Sequence, residues 1–261
     1  MTRWDLILDG AFDGVTNMAI DAALLNEVEG AEEHRTIVRF YTWARPTVSL
    51  GRNQKIEKAV DIAYCAANSI DIVHRPTGGR AVLHDDELTY AVVSNDSVTF
   101  GDTIYGNYKR VSEALCLGFN RLGVPAVLAP DTRKPNLKDL DADPPCFIST
   151  SRYELMVDGR KVVGSAQRRI RRAFLQHGSM PITVDREVLA LATRQPDASI
   201  LNQEMAGIAE FTSLRPNLQE FSRALIGGFQ DYFGIDFRRR VDGAIDTRSA
   251  DCYKSHDVTK G

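Results

Sequence analysis

Two residues in the stretch DPPCFISTSRYELMVDGRKVVGSAQ, from Asp143 to Gln167, could carry out acyl chemistry: Cys146 and Lys161. A thiolate attacks thioesters well, but a free thiol is mostly protonated at neutral pH. A neighbouring ammonium lowers the pKa of a thiol, and a neutral amine can accept its proton. The pair therefore predicts a cysteine nucleophile assisted by a lysine. On the residues alone, a loop thiol beside a solvent-facing hairpin lysine is the preferred interpretation, because such pairs arise often by chance.

A second motif, RPTGGRAVLHDDELTY at 75–90, places two adjacent glycines between two arginines. Without a Cβ, Gly78 and Gly79 let the backbone approach a ligand closely, and backbone N–H groups there can bind an anionic or carbonyl group. Arg75 and Arg80 flank the turn, and His84 follows on an alternating strand. A plain hairpin turn explains the glycines equally well, and His84 taken alone is better explained as a structural histidine.

Four arginines lie within five residues in QRRIRRAF at 167–174, namely Arg168, Arg169, Arg171 and Arg172. They predict either the solvated end of a hairpin or an electrostatic docking surface for an acidic protein. The formal net charge of only −3 disfavours a nucleic-acid surface. Further on, LQHGSM places His177 at a strand end, and a structural histidine is again the preferred interpretation.

The composition is that of an ordinary folded protein, with 261 residues of which 43% are hydrophobic and 26% are charged. No apolar run approaches the roughly 18 residues that a membrane span needs. The first residues, MTRWDLILDG, carry acidic side chains where a signal peptide would be apolar. We therefore expect a cytoplasmic protein with no membrane partner. No CxxC pair occurs among its four cysteines, which disfavours a zinc or redox motif; they are Cys65, Cys116, Cys146 and Cys252.

The hydrophobic pattern predicts strands and helices mixed without regular βαβ order, which favours an α+β fold with a mixed, mostly antiparallel sheet. Asn17 is predicted to cap a helix that runs to about Glu29. Asp158-Gly159 is a strong hairpin turn between YELMV and RKVVGSA, and it pairs Met156 with Lys161. With RKVVGSA as one strand, Lys161 shares a face with Glu154, Val163 and Ser165. Further helical spacing is predicted at 56–68, 103–122 and about 185–235.

Several long segments, in this order, resemble the biotin/lipoate protein ligase superfamily, and within it the LipM-type octanoyltransferases. They are TNMAIDAALL (16–25), VRFYTWARPTVSLGRNQ (38–54), RPTGGRAVLHDDELTYAVV (75–93), CFISTSRYELMVDGRKVVGSAQRR (146–169) and LQHGSM (175–180). The resemblance implies one catalytic domain at 1–240, with a central sheet flanked by helices and a smaller accessory sheet. A flexible tail is expected at 241–261.

The resemblance also implies an activity: transfer of octanoyl from acyl carrier protein to a lysine of the glycine cleavage H protein or of an E2 lipoyl domain. Cys146 would carry the octanoyl group as a thioester, and Lys161 would lower the thiol pKa and shuttle protons. We expect no ATP, no metal and no other cofactor, and we expect a monomer. Substrate contacts are expected from Arg75, Gly78, Gly79, Arg80, His84, Gly164 and Ser165, an acyl pocket from Val82, Tyr90 and Val163, and carrier docking from Arg168, Arg169, Arg171 and Arg172.

Two related activities remain open at this point. An ATP-dependent lipoate ligase would form an acyl-adenylate and tolerate the loss of Cys146, and a lipoyl amidotransferase would prefer a lipoylated protein as donor. A binding module that keeps only the acyl pocket is a third possibility, although such a module needs neither Cys146 nor Lys161. The chain departs from the family where His74 stands in place of the usual arginine, which puts the anion contacts of the glycine turn in doubt.

Overall fold

A six-stranded mixed sheet forms the centre of the computed structural model, which describes residues 2–129, 153–194, 198–213 and 215–240. Its strands, in spatial order, are β10 (Gly164–Ile170), β11 (Ala173–Pro181), β6 (Glu87–Ser94), β2 (Thr36–Trp43), β1 (Arg3–Phe12) and β12 (Asp236–Arg239). The pairings on either side of β1 are parallel and the other three are antiparallel. The expected α+β class with a mixed, mostly antiparallel sheet is confirmed.

Helices cover both faces of this sheet. On one face, α5 (Ile104–Arg121) and α8 (Leu218–Phe233) bury a large aromatic and aliphatic cluster against β2 and β6. On the other face, α1 (Gly14–Gly30) packs Met18, Leu24 and Leu25 onto the opposite side of the same strands. Strands β2 and β6 are therefore buried on both faces, which explains why apolar residues occur at both alternating sets of positions in each strand.

Two small sheets lie beside the main one. The first consists of β4 (Asp71–His74), β3 (Thr47–Leu50) and β5 (Val82–His84), and the second of β7 (Val127–Leu128), β8 (Leu155–Val157) and β9 (Arg160–Lys161). The remaining helices are short; they are α2 (Ile56–Ala59), α3 (Ile62–Ala67), α4 (Ser97–Phe100), α6 (Arg186–Ala192), α7 (Ala198–Glu204) and a 3₁₀ turn at Ile208–Glu210.

The helix cap predicted at Asn17 is wrong. Asp13 is the N-cap, and its side chain accepts a hydrogen bond from the backbone N–H of Thr16 at 2.8 Å. Asn17 lies one turn inside the helix, fully buried, where its amide donates to the carbonyl oxygen of Thr42 and accepts from Arg39. Both residue types cap helices well. Asn17 lies inside the helix because its side chain binds the buried guanidinium of Arg39, and Asp13 is therefore the residue that caps the helix.

The hairpin prediction is confirmed, but its second strand is shorter than predicted. Asp158 and Gly159 have φ of 47° and 76°, as a tight hairpin turn requires, and Met156 pairs with Lys161. Strand β9 ends at Lys161, and the chain crosses at Val162–Val163 into the main sheet, where β10 begins. Strand alternation therefore does not place Lys161 on one face with Val163 and Ser165.

Two further predictions need correction. The helix predicted at 56–68 is two helices, α2 and α3, separated by extended residues at Val60 and Asp61, with Asp61 capping the second. The C-terminal part is helical as predicted, but it is followed by β12, which the sequence did not reveal. Cys146 and the predicted tail at 241–261 lie outside the described residues.

Candidate functional site

Lys161 lies at the end of the hairpin, in a buried ion pair. Its ammonium nitrogen is 2.6 Å from a carboxylate oxygen of Glu154, and each side chain is only 2% exposed. Leu155 and Val157, on the strand β8 that pairs with β9, belong to the large core cluster. The structure thus fixes a positive charge in an apolar setting, which is where a charge has its greatest electrostatic effect on a neighbouring thiol.

A cleft opens where the main sheet, the β3–β5 sheet and α1 meet. Four of the predicted site residues line it: Arg75, Val82, His84 and Gly164. The other lining residues come mainly from the strands of the main sheet; they are Met18, Tyr41, Trp43, Ser49, Thr89, Ala166, His177, Gly178 and Ser179. Apolar groups line several walls of the cleft, and its hydroxyl and imidazole groups can contact a polar group.

The buried side chain of Arg75 binds backbone carbonyl oxygens of the turn that contains Gly78 and Gly79. Its guanidinium is buried and donates to the carbonyl oxygens of Ser49 at 2.9 Å, Gly78 at 2.8 Å and Arg80 at 2.7 Å. A Cβ built on Gly51 would lie 2.0 Å from the carbonyl oxygen of Gly79, so the two loops touch backbone to backbone. Arg75 therefore shapes the loop that borders the cleft, and Gly51 makes the close approach possible.

His84 is the centre of a hydrogen-bonded chain on one wall of the cleft. Its Nε2 is 2.8 Å from the Ser49 hydroxyl, and its Nδ1 is 2.9 Å from Glu87. The ring stacks on Trp43, with 4.0 Å between the ring centroids. Burial acts to raise the pKa of Glu87, but its contacts with His84, Ser179 and Thr89 outweigh burial and lower that pKa. Glu87 is therefore a carboxylate.

His177 forms a matching chain from the facing strand β11. Its Nδ1 lies 2.7 Å from Asp21, and its Nε2 lies 2.7 Å from the Thr77 hydroxyl, which belongs to the glycine turn. Burial lowers the pKa of His177 against the opposing effect of Asp21, so the ring is neutral at physiological pH. Asp21 also binds Arg39 at 2.8 Å. This buried network anchors Thr77, and with it the glycine turn, to the main sheet.

The remaining predicted residues have varied surroundings. Ser165 is half-buried and shares a hydrogen bond of 2.7 Å with the Tyr90 hydroxyl, which Gln176 also contacts at 3.0 Å. Burial raises the pKa of Tyr90 to about 12, so it remains a phenol. Tyr90 and Val163 are packed in the large core cluster and are not among the residues that line the cleft. Of the three residues predicted for an acyl pocket, Val82 is the one that lines this cleft.

The arginine cluster lies around the β10–β11 turn, and three of its members contact the chain itself. Arg168 donates to the carbonyl oxygen of Pro76 at 3.3 Å, beside the glycine turn, and Arg169 donates to Asn107 at 3.1 Å. Arg172 donates to the carbonyl oxygen of Ala31. Arg171 is an exposed turn residue with φ of 42°.

Sequence reasoning missed Ser49, Trp43 and Asp21 and treated His177 as an isolated residue. Trp43 and Ser49 lie in the segment VRFYTWARPTVSLGRNQ and Asp21 lies in TNMAIDAALL, but these segments were used only for the family resemblance and not for a site. The useful signal was that five acidic or imidazole groups occur at strand or helix positions that the hydrophobic pattern buries. Buried ionisable groups are commonly paired, so such positions predict partners.

A family profile described as the lipoyl protein ligase A/B catalytic domain matches residues 13–230. The chain belongs to this family. Octanoyltransferase LipM of Carboxydothermus hydrogenoformans is 37% identical over 247 residues, covering 92% of this chain and 90% of the relative. Octanoyltransferase LipM of an Exiguobacterium species is 39% identical over 251 residues, with the same coverage. The resemblance to LipM-type octanoyltransferases drawn from the motifs is confirmed.

Solved structures of lipoyl ligase family members have the same fold. A lipoate-protein ligase A bound with ATP is 25% identical, with a TM-score of 0.75 over 95% of this chain and 92% of that structure. A bipartite lipoate protein ligase from Thermoplasma acidophilum, studied with its E2 lipoyl domain, is 23% identical, with a TM-score of 0.76 over 96% and 91% of the two chains. The expected ligase-like fold is confirmed.

No three His, Cys, Asp or Glu side chains in residues 2–129, 153–194, 198–213 and 215–240 are grouped so that they could hold a metal ion. Over the same ranges, none of the helices is long and apolar enough to cross a membrane.

Proposed function

We propose that this protein is an octanoyltransferase, which moves an octanoyl group from acyl carrier protein, through a thioester on Cys146, to a lysine of a lipoyl-accepting domain. The observation that carries the proposal is the similarity to LipM octanoyltransferases over about nine-tenths of the chain. The glycine cleavage H protein and the E2 domains of 2-oxoacid dehydrogenases are the proposed acceptors. The lipoyl domain studied with one structural relative is consistent with an acceptor of that kind.

In the first half-reaction, Cys146 attacks the carrier thioester, and the acyl group passes from one sulfur to another. The Lys161 ammonium stabilises the thiolate and delivers a proton to the leaving thiol. The bond formed is again a thioester, so no nucleotide is needed to activate the acyl group. Backbone N–H groups near Gly78-Gly79 and Gly164-Ser165 are the proposed donors to the tetrahedral oxyanion, and one such donor is typically worth about 3 kcal/mol.

The cleft is the proposed site for the octanoyl chain. Met18, Trp43, Val82 and Ala166 offer apolar surface there. Each CH₂ group that leaves water contributes roughly 0.8 kcal/mol to binding, so the depth of the cleft can select the length of the chain. This assignment also explains why the cleft walls combine apolar surface with a few convergent polar groups.

Intact-protein mass spectrometry tests the proposal. The protein is mixed with octanoyl-acyl carrier protein in the absence of ATP, beside the variant Cys146→Ala. We expect a mass gain of one octanoyl group in the wild type and none in the variant. If the wild type gains no mass, but acylates a lipoyl domain once ATP and free octanoate or lipoate are added, the protein is an ATP-dependent ligase and Cys146 is a bystander.

The nature of the donor is tested with the same readout. Octanoyl-acyl carrier protein and an octanoylated H protein are offered separately at equal concentration. We expect faster acylation of Cys146 by the carrier protein. Faster acylation by the H protein would instead identify an amidotransferase.

A further inference from the structure

The carboxylate of Asp21 determines which ring nitrogen of His177 carries the hydrogen. Burial acts to raise the pKa of Asp21, but its contacts with His177 and Arg39 outweigh burial and lower that pKa. Asp21 is therefore a carboxylate, which only accepts hydrogen bonds, so His177 Nδ1 at 2.7 Å is the donor. The ring is neutral because burial lowers the pKa of His177. Its Nε2 therefore has a lone pair, which accepts the hydrogen of the Thr77 hydroxyl at 2.7 Å.

Arg39 keeps Asp21 ionised inside the core. Its side chain is 0% exposed and binds Asp21 Oδ1 at 2.8 Å and Asp9 at 2.7 Å. The second oxygen, Oδ2, accepts from the Tyr41 hydroxyl at 2.9 Å as well as from His177. A guanidinium has donors only and keeps its proton in proteins. Both oxygens of Asp21 therefore face donors, which leaves one arrangement of hydrogens in the network.

At the other end of this network, the backbone of the glycine turn has one orientation. The carbonyl oxygen of Thr77 accepts from the backbone N–H of Arg52 at 2.9 Å, and that of Gly78 accepts from Arg75 at 2.8 Å. In a planar trans peptide the N–H points away from the carbonyl oxygen of the same unit, so the N–H groups of Gly78 and Gly79 point away from these donors. Neither N–H donates a hydrogen bond within the part of the chain that the structure describes.

Thr77 connects the two ends. It is 0% exposed, and its carbonyl oxygen lies in the same peptide unit as the N–H of Gly78. Its hydroxyl has one hydrogen, so the bond to His177 depends on the lone pair at Nε2. If Nε2 carried the hydrogen instead, Thr77 would have to accept, and its own buried hydrogen would need a new partner. A buried donor without a partner is costly, so a change of tautomer should displace Thr77.

We propose that Asp21 is a positioning residue for the glycine turn. It acts through His177 and Thr77 on the peptide units whose N–H groups are the proposed donors to the oxyanion. The assignment rests on the proposed octanoyl transfer, in which a tetrahedral intermediate forms in both half-reactions. Asp21 should therefore influence both half-reactions, although it is not among the residues that line the cleft.

The variant Asp21→Asn tests the tautomer. The new amide has one oxygen, which must face Arg39 because a guanidinium can only donate. Its NH2 group then faces His177, whose Nδ1 has to accept, and the hydrogen of the ring moves to Nε2. Imidazole 15N NMR of the full-length protein distinguishes the two tautomers, and the His177 signals are assigned by their absence from His177→Gln. We expect Nδ1–H in the wild type and Nε2–H in Asp21→Asn.

The catalytic consequence is measured in single turnovers. Octanoyl-enzyme is formed with octanoyl-acyl carrier protein and then mixed with a lipoyl domain, and intact mass follows both steps. We expect Asp21→Asn and Thr77→Val to slow both steps about 100-fold, the loss that a misplacement of about 1 Å produces, with the KM for the carrier protein unchanged. Thr77→Ser keeps the hydroxyl and should keep most of the wild-type rate. Asp231→Asn, at a half-exposed position of α8, should match the wild type.

A double variant tests whether Asp21 acts through Thr77. If it does, Asp21→Asn/Thr77→Val should be no slower than the slower of the two single variants, because both remove the same anchor. Losses that multiply in the double variant would overturn the proposal. So would a wild-type rate in Asp21→Asn, or an Nδ1–H tautomer that persists there.

Thermal unfolding shows which variants are folded. If Asp21→Asn does not fold, the two threonine variants and the wild-type spectrum carry the test. An equal loss of rate in Thr77→Val and Thr77→Ser, or an Nε2–H tautomer in the wild type, would then overturn the positioning role. A wild-type protein that forms no octanoyl-enzyme would overturn the proposed function, and the spectra would separate that failure from a failure of the network.

Discussion

At the scale of single residues, the buried ion pair of Lys161 and Glu154 contributes little to the stability of the fold but supplies a fixed charge for chemistry. Removing two charges from water costs several kcal/mol per ion, and their mutual attraction offsets that cost only while both partners are present. Two well-packed apolar residues would stabilise the hairpin as well or better. The pair is therefore better explained by the need for a fixed charge at the site than by the stability of the fold.

This explanation predicts a particular pattern of unfolding free energies. Lys161→Met and Glu154→Leu should each lower the free energy of unfolding by about 3 kcal/mol, since each removes one partner of a buried ion pair. The double variant Lys161→Met/Glu154→Leu should recover most of that loss while forming no octanoyl-enzyme. Urea titration and intact mass provide the two readouts. Losses that simply add in the double variant would argue against coupling of the two charges.

A second residue-scale prediction concerns acid stability. The pKa of Glu87 lies below its ordinary value of 4.5, so the unfolded chain binds the proton more readily than the folded one. Its contribution to stability is present above about pH 4.5 and is lost as the pH falls through the lowered pKa. Glu87→Gln should therefore flatten the decline in unfolding free energy between about pH 5 and pH 3. The exposed Glu187→Gln variant should keep the wild-type slope, and identical slopes in all three proteins would contradict the assignment.

At the scale of helices, strands and turns, the sequence predicted the structure correctly where the residues of a short segment determine its conformation on their own. Asp158-Gly159 specified its hairpin because few residues tolerate positive φ at both turn positions. Local rules could not separate Asp13 from Asn17 as the helix cap, because a distant arginine, Arg39, decides between them. They also could not show that Val162–Val163 crosses between two sheets, since both sheets accept the same apolar residues. The cleft brings together residues from six strands that are far apart in the sequence. The sequence therefore revealed the motifs of the site but not how they are arranged around the cleft.

The contact between Gly51 and Gly79 gives a prediction for the glycine turn. A Cβ on Gly51 would lie 2.0 Å from the Gly79 carbonyl oxygen, whereas a Cβ on Gly78 would meet nothing within 4 Å. Gly51→Ala should lower the free energy of unfolding by about 2 kcal/mol or more and displace the turn. Gly78→Ala should change it by less than about 1 kcal/mol. Thermal melts compare the two, and an equal loss in both variants would show that conformational freedom, not space, is what this turn requires.

At the scale of the whole molecule, the cleft is built where three layers meet. Main-sheet strands supply Trp43 and His177, the smaller sheet supplies Ser49 and His84, and α1 supplies Met18. Core clusters on both faces of the main sheet hold these parts in place. The shape of the cleft therefore depends on the packing of the layers around it, while Arg171 of the β10–β11 turn is exposed at the surface.

Docking of the acidic carrier protein is tested best at Arg171, because its three neighbours in the cluster also bind the chain. Arg171→Glu should raise the KM for octanoyl-acyl carrier protein several-fold at low salt and weaken the dependence of KM on salt, with kcat unchanged. Arg223→Glu, at an exposed position of α8, is the control with the same change of charge. Equal effects of the two variants on KM would indicate that the net charge of the protein, and not a local docking surface, attracts the carrier protein.

The parallel pairing of β12 with β1 has a consequence for how the protein is made. Arg238 binds Asp5 across the pair, although the two residues are 233 positions apart in the chain. A ribosome that adds 5 to 20 residues per second takes roughly 10 to 50 s to cover that distance. Throughout this time the nascent chain presents an open strand edge on β1 and an uncovered Trp4. Synthesis, and not the intrinsic speed of folding, therefore sets the earliest moment at which β12 can pair with β1.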